Sequence, residues 1–317
     1  MVYLLLLVGF LFLIKGADTF VTGSSSIARK LKIPSLIIGL TIVGFGTSAP
    51  EAAVSITAAI QGQNDMAIAN VVGSNIFNIL AVVGIASIIS PIKVQKSTII
   101  KEFPFALLAS VVLMILSYDT KFQGYDANLL TRADGLILLA IFAVFMYYLV
   151  EMAITSKEDI NEESSEKEIS IAKSVVMGIL GFIGILIGGK LVVDSASDIA
   201  ISLGMSENLV GLTIVSIGTS LPEFATSVIA AKKGESDIAI GNVVGSNIFN
   251  ILFVLGSSAT ISNLQIQSMV FVDMLIMLLV TIIAYALSAT NRKINKLEGS
   301  ILTMTYILYM VFIIIRK

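Results

Sequence analysis

The sequence contains no cysteine and no histidine. The absence of cysteine excludes disulfide bonds and thiolate metal sites, and the absence of histidine removes the commonest metal ligand and proton carrier. Charged residues are scarce, at 13% of the chain, where soluble domains have about 25%. Hydrophobic residues make up 56%, so the composition predicts an integral membrane protein. The net charge of −2 gives no indication of a nucleic-acid partner.

Long apolar runs recur through the chain, and most exceed the roughly 18 residues that mark a membrane-spanning helix. The first run has neither a basic leader nor a small-residue cleavage site, so we interpret it as a retained helix rather than a signal peptide. The predicted spans are 2–26, 36–61, 66–89, 98–118, 130–152, 171–199, 208–231, 238–261, 267–289 and 298–316.

A polar stretch at 157–170 separates the fifth and sixth spans. It lacks the alternating acidic and glycine pattern of an EF-hand, which favours a solvated linker over a calcium sensor. Fourteen of the 20 lysines and arginines lie in the odd-numbered connections and four on the other side. The positive-inside rule therefore predicts a cell-membrane protein with both termini extracellular and the linker cytoplasmic. The predicted division is a first five-helix repeat at 1–152, an acidic linker at 153–170 and a second five-helix repeat at 171–317.

The chain contains an internal repeat. Residues 39–80 and 211–252 share 29 identities in 42 positions without a gap. Because five spans precede the linker and five follow it, the second copy should enter the membrane from the opposite side. The predicted fold class is thus an all-α integral membrane protein, with ten transmembrane helices in two inverted-topology five-helix repeats and broken helices at the midplane.

A glutamate lies within an apolar span of each copy, at Glu51 and Glu223. A charged side chain at bilayer depth costs about 2.5–3.5 kcal/mol on insertion scales. Neither repeated segment has a lysine or arginine at that depth, so a cation from solution is the simplest partner. The alternative is a capped kink with a protonated glutamate, which does not explain why the same device occurs twice in opposite directions.

Glycine and proline residues before each glutamate predict a break in the helix, where unpaired carbonyls can line a cavity or bind an ion. Ser48 and Ser220 stand three residues before the glutamates and predict capping boxes with proline in the first turn. Together with Thr47 and Thr219 they also place hydroxyl oxygens close to the carboxylates.

The following span of each copy carries a polar stripe. Asn70, Ser74 and Asn78 recur at four-residue spacing, and Asn242, Ser246 and Asn250 repeat them. Such stripes often hold helices together. For Asn70 and Asn242, and for Asn75 and Asn247, that role and ion ligation stay equally open, whereas Ser74 and Asn78 are better placed to face Glu51. Two carboxylates with hydroxyl, amide and carbonyl oxygens form a hard site suited to Ca²⁺ or Na⁺.

The paired motifs GTSAPE and GTSLPE, each followed by GSNIFN, closely resemble the two alpha repeats of the sodium/calcium exchanger family, in its prokaryotic ten-helix form. The resemblance implies electrogenic exchange of Na⁺ for Ca²⁺ by alternating access, in which spans 1 and 6 slide against spans 2, 3, 7 and 8. Glycines of spans 1 and 6 suit either a loose, mobile contact or ordinary close packing. The ligands implied by motif position and by the oxygen stripe are Glu51, Glu223, Thr47, Ser48, Thr219, Ser220, Ser74, Ser246, Asn78 and Asn250, with the carbonyls of Gly44 and Ser216.

The sequence departs from two related groups. Proton/calcium exchangers place a glutamate after their GN motif, and this chain has no glutamate at that place in either copy. Potassium-dependent relatives carry aspartate where this chain has Asn250. A potassium-dependent or proton-coupled exchanger remains the alternative, followed by a passive channel. An intramembrane protease is disfavoured because the sequence offers no catalytic aspartate pair, so no enzyme activity and no cofactor are expected. The expected partners are Ca²⁺, Na⁺ and the lipid bilayer, with one chain sufficient for transport.

Overall fold

The computed structural model describes residues 2–122, 124, 126–155, 170–205, 214 and 216–316. Apart from connecting turns and four two-residue strands, the described residues are helical. Within the described residues, eight helices are long and apolar enough to cross a membrane, or nine when α2 and α3, bent by 47° at one break, count as one span. The beginning of the predicted seventh span lies outside the described residues.

The helices, numbered in chain order, are α1 (Val2–Leu31), α2 (Ser35–Thr47), α3 (Ala49–Ile60), α4 (Asn64–Ile89), α5 (Thr98–Leu116), α6 (Asp119–Phe122), α7 (Arg132–Thr155), α8 (Ile171–Ser202), α9 (Ser216–Thr219), α10 (Leu221–Lys232), α11 (Ser236–Ile261), α12 (Ser268–Asn291) and α13 (Lys296–Ile315). The strands are β1 (Ile92–Lys93), β2 (Leu129–Leu130), β3 (Leu264–Gln265) and β4 (Lys293–Ile294). The helix α1 continues five residues past the predicted end of the first span, to Leu31, and its polar residues Ser24, Ser25 and Ser26 are buried.

Two antiparallel strand pairs join distant connections on the two faces of the molecule. On one face, β1 pairs with β4, the Gln95 amide donates to Asp237 at 2.7 Å, and Arg29 contacts Glu235. We name this the basic face. On the opposite face β2 pairs with β3, and Gln267 donates to Asp65. The contacts on the basic face join only odd-numbered connections, and those on the opposite face join only even-numbered connections. The distribution of lysine and arginine predicted the same grouping.

The helices α4 and α11 form the centre of the molecule, and nearly all of α11 is buried. Close approach of α2 to α11 is possible because glycines meet at the crossing. A Cβ on Gly245 would lie 2.5 Å from the carbonyl oxygen of Leu40, and one on Gly39 would lie 2.9 Å from that of Asp237. This contact brings the break after α2 against the middle of α11.

The helices α1 and α8 cross at the edge of this core and pack against each other along their length. A Cβ on Gly188 would lie 2.4 Å from the backbone nitrogen of Leu13, and one on Gly16 would lie 2.7 Å from that of Ile185. The close-packing interpretation is therefore confirmed at Gly16 and Gly188. Large apolar side chains on the outer helices, such as Leu11, Val144 and Leu308, are exposed, as on a lipid-facing surface.

Candidate cation site

Two fully buried glutamates lie at the start of the helices that follow the breaks. Glu51 is in the first turn of α3 and Glu223 in the first turn of α10, each preceded by a proline. Both have 0% exposure. Ser48 and Ser220 lie between the helical segments and have non-helical backbone dihedrals, and the chain bends by 47° at the first of these breaks. The broken helix predicted from glycine and proline is confirmed at Ser48, and Ser220 is its counterpart.

The predicted capping boxes at Ser48 and Ser220 are wrong. Neither side chain makes a hydrogen bond to the helix that it precedes. Instead, Ser48 Oγ donates to Oε1 of Glu223 at 2.8 Å, and Ser220 Oγ donates to Oε1 of Glu51 at 2.7 Å. A hydrogen bond to a buried carboxylate oxygen is stronger than one to a backbone amide. Each serine therefore stabilises the glutamate of the other half rather than the helix that it precedes.

Further hydroxyls connect this pair to α4 and α11. Ser220 Oγ lies 3.1 Å from Ser74 Oγ, and Ser246 Oγ donates to the carbonyl of Gly44 at 3.0 Å. Thr47 Oγ1 donates to Asn242 Oδ1 at 3.0 Å. The structure thus brings these predicted residues of the two halves together. Thr219, at the end of α9, precedes Ser220 at the second break; of Ser216, only the backbone at the start of α9 is described.

Asn78 and Asn250 start segments of wider π-helix inside α4 and α11, at Asn78–Val82 and Asn250–Leu255. The sequence patterns did not indicate these segments, which often occur at functional sites. Both side chains have 0% exposure. The Asn78 amide nitrogen donates to Asn247 Oδ1 at 3.1 Å, and that of Asn250 donates to Asn75 Oδ1 at 3.2 Å.

The other stripe asparagines support the breaks. Asn70 Nδ2 donates to the Glu51 carbonyl and, at 2.9 Å, to Ser55 Oγ. Asn242 Nδ2 makes the corresponding bonds to the Glu223 carbonyl and to Ser227 Oγ. These contacts support a role of Asn70 and Asn242 in holding helices together, and not in ion ligation. The two serines, missed by the sequence analysis, could have been found because each follows its glutamate by four residues.

Four oxygens of the site are buried and have no hydrogen-bond donor among the residues that the structure describes: Glu51 Oε2, Glu223 Oε2, Asn78 Oδ1 and Asn250 Oδ1. A buried acceptor without a partner is costly, and for an ionised carboxylate the cost is larger still. Two carboxylate and two amide oxygens are ligands that Ca²⁺ and Na⁺ accept. The donor set therefore fits a hard cation with two charges to balance.

The apolar outer helices define a multi-span membrane protein. The two helix breaks and the buried oxygens without donors are features of proteins that transport ions. Comparison with known proteins supplies the family. The model of the family described as sodium/calcium exchanger protein matches residues 1–151 and 173–315. The chain belongs to this family, which confirms the resemblance seen in its motifs.

Individual proteins are similar over nearly the whole chain. The sodium/calcium exchanger MaX1 of Methanosarcina acetivorans is 32% identical over 341 residues, covering 98% of this chain and 97% of that protein. The inner membrane protein YrbG of Escherichia coli is 37% identical over 297 residues, covering 91% and 89%. A structure of the sodium-calcium exchanger NCX_Mj, soaked with 10 mM Na⁺ and zero Ca²⁺, superposes with a TM-score of 0.83 at 33% identity, covering 98% of this chain and 99% of that one.

Proposed function

We propose that this protein is a secondary antiporter that exchanges Na⁺ for Ca²⁺ across the cell membrane by alternating access. The observation that carries the proposal is the set of four buried oxygens without donors, contributed equally by the two halves. Membership in the sodium/calcium exchanger family supports the same conclusion. The cations are the transported substrates.

The charges of the site set the terms of exchange. Glu51 and Glu223 together balance one Ca²⁺ or two Na⁺, and a third Na⁺ would move net charge and couple transport to the membrane potential. Asn78 and Asn250 add neutral oxygens. Hydroxyls and carbonyls complete the proposed ligand set: Thr47, Ser48, Ser74, Thr219, Ser220 and Ser246, with the carbonyls of Gly44 and Ser216.

The architecture proposed for this activity is two inverted five-helix repeats, 1–152 and 171–317, joined by the linker 153–170. In support, hydrogen bonds recur at the offset of 172 residues: Gln95 to Asp237 on the basic face matches Gln267 to Asp65 on the opposite face. With the basic face cytoplasmic, both termini are extracellular and the linker is cytoplasmic.

Unequal packing of equivalent helices supports alternating access. On the basic side of the site α1 packs along α10, whereas α8 makes little or no contact with α3, the equivalent pair on the opposite side. Asp18 of α1 also accepts an ion pair from Lys233 at 2.9 Å. We propose that this is the outward-facing conformation, and that α1 and α8 move as one unit because their backbones are in contact.

Flux through purified protein in liposomes tests this function. An outward-directed Na⁺ gradient should drive ⁴⁵Ca²⁺ uptake that saturates and persists without K⁺. If three Na⁺ leave for each Ca²⁺ that enters, one positive charge moves outward per cycle. Uptake should then be faster with an interior-positive membrane potential than with the potential clamped at zero. Uptake driven only by a pH gradient, or only with K⁺ present, would replace the sodium mechanism with the proton-coupled or potassium-dependent alternative. Conductance that needs no counter-ion would indicate a channel.

A further inference from the structure

The four asparagines of the two GSNIFN segments form one buried hydrogen-bonded network across the two halves. Asn75 Nδ2 donates to the backbone carbonyl of Asn247 at 3.1 Å, and Asn247 Nδ2 donates to the backbone carbonyl of Asn75 at 3.2 Å. The side-chain oxygens of the same two residues accept the amide groups of Asn250 and Asn78, respectively. All four side chains are at most 4% exposed.

The chemistry of the backbone fixes the direction of every amide in this network. A backbone carbonyl can only accept a hydrogen bond, so the Asn247 side chain must turn its NH₂ group toward Asn75 O. Its Oδ1 then faces Asn78 and can only accept, so Asn78 must present its NH₂ group to Asn247. The remaining Asn78 Oδ1 is thereby turned away from Asn247, and it is one of the oxygens without a donor. The same reasoning from Asn75 fixes Asn250.

We propose that Asn75 and Asn247 are positioning residues that hold Asn250 and Asn78 with their oxygens, and not their NH₂ groups, toward the transported cation. This inference rests on the cation site proposed above. Each ligand amide is oriented by the other half of the chain. A free amide could reverse, and its NH₂ group would then face the cation and repel it.

Interhelical adhesion alone does not account for the pattern of satisfied atoms. The side-chain oxygens of Asn75 and Asn247 each accept a hydrogen bond, whereas those of Asn78 and Asn250 do not. A network that served only adhesion would gain by satisfying these two acceptors as well. The orientation of the amides leaves the donor-free oxygens on the two residues implied as ligands.

A carboxylate needs no such orientation because both of its ends are oxygen. In Asn78→Asp one carboxylate oxygen faces the cation in either orientation, and the other faces Asn247 Oδ1, which can only accept. Loss of the Asn247 side chain should therefore no longer weaken Ca²⁺ binding in this variant, and loss of the Asn75 side chain should no longer weaken it in Asn250→Asp. The two arms are separable because Asn247→Ala removes the partner of Asn78 but keeps the backbone carbonyl that accepts from Asn75. A double-mutant cycle can therefore test the coupling of each pair. A merely structural role would give the same loss in both aspartate backgrounds.

Equilibrium binding of ⁴⁵Ca²⁺ to the purified full-length protein tests the inference. Asn247→Ala should weaken binding about tenfold or more, as loss of an outer-shell partner does at other metal sites. The loss should disappear or turn into a gain in the Asn78→Asp background, where Asn247→Ala also removes an acceptor that faces the new carboxylate. It should persist in the Asn250→Asp background, and Asn75→Ala should show the reverse selectivity. If Asn247→Ala is not monodisperse, Asn247→Ser, which keeps a buried hydroxyl, replaces it in the cycle.

Equal losses in both aspartate backgrounds would show that Asn247 acts only through structure and would overturn the inference, while leaving Na⁺/Ca²⁺ exchange intact. Unchanged binding in both Asn75→Ala and Asn247→Ala would also overturn it. A wild-type protein that binds no Ca²⁺ would instead remove the proposed function, and this inference with it.

Discussion

Ser48 Oγ donates a 2.8 Å hydrogen bond to Glu223, a residue 175 positions further along the chain. The reciprocal bond runs from Ser220 to Glu51 at 2.7 Å. Each carboxylate thus keeps one oxygen held by the opposite half and one oxygen without a donor. A single half cannot assemble this arrangement, which explains why the chain contains the motif twice.

Removing a crosswise hydroxyl should weaken Ca²⁺ transport without abolishing it. We expect Ser48→Ala and Ser220→Ala each to raise the KM for Ca²⁺ about ten- to hundredfold, because a hydrogen bond to a charged group contributes about 1.5–3 kcal/mol. Initial rates of ⁴⁵Ca²⁺ uptake measure the effect. Ser110→Ala is the matched control, since the buried Ser110 bonds only the Ala106 carbonyl of its own helix. An equal effect of all three substitutions would contradict a specific role for the crosswise bonds.

Adding a third carboxylate should make transport depend on pH. In the proposed site, Asn250→Asp adds a third acid to Glu51 and Glu223, and three neighbouring carboxylates favour binding of a proton when the cation is absent. We expect Ca²⁺ uptake by this variant to fall as the pH decreases from 8 to 6, more steeply than in the wild type. Asn78→Asp, its counterpart in the other half, should behave similarly. A pH profile identical to that of the wild type in both variants would place these residues away from the cation.

The ion pair between Lys233 and Asp18 should favour the proposed outward-facing conformation. An exposed ion pair contributes up to about 1 kcal/mol, so Lys233→Gln should shift the conformational equilibrium by about two- to fivefold. The chain has no cysteine, which allows labelling of single introduced cysteines. Lys233→Gln should speed labelling at Thr226→Cys on α10 and slow it at Val54→Cys, the equivalent position on α3.

Lys190→Gln serves as the control for this shift. Lys190 pairs with Asp194 one turn along the same helix, so its loss should leave both labelling rates unchanged. Equal changes in the Lys190 and Lys233 variants would show that charge alone, and not the contact between α1 and α10, alters the labelling.

The glycine contact between α1 and α8 should tolerate no added methyl group at its closest points. Gly188→Ala should lower the free energy of unfolding by about 1–3 kcal/mol, because the new Cβ would meet the Leu13 backbone, which cannot turn aside as a side chain can. Gly178→Ala on the same helix should be neutral, since a Cβ there has no neighbour within 4 Å. Thermal unfolding in detergent compares the two, and a similar loss in both would contradict close packing at Gly188.

Sequence reasoning succeeded where the information is local or repeated. The two copies, their glutamates and the break at Pro50 could be predicted because proline, glycine and an intramembrane carboxylate each have a direct physical consequence. The partner of Ser48 could not, since spacing favours its own helix and Glu223 approaches it only in the folded chain. The orientation of Asn78 likewise depends on the crossing of α4 and α11.

The central claim is that Glu51 and Glu223 together bind one Ca²⁺, which Na⁺ displaces. Equilibrium ⁴⁵Ca²⁺ binding to the purified chain measures it most directly. Glu102→Gln is the control because Glu102 is also fully buried, with one oxygen bonded by Tyr148 and one without a donor, but in the described part of the chain it has no second glutamate from the other half beside it. The account predicts one displaceable Ca²⁺ per chain in the wild type and in Glu102→Gln, and none in Glu51→Gln or Glu223→Gln. Binding of one Na⁺-sensitive Ca²⁺ per chain by the Glu51→Gln/Glu223→Gln double variant would contradict it.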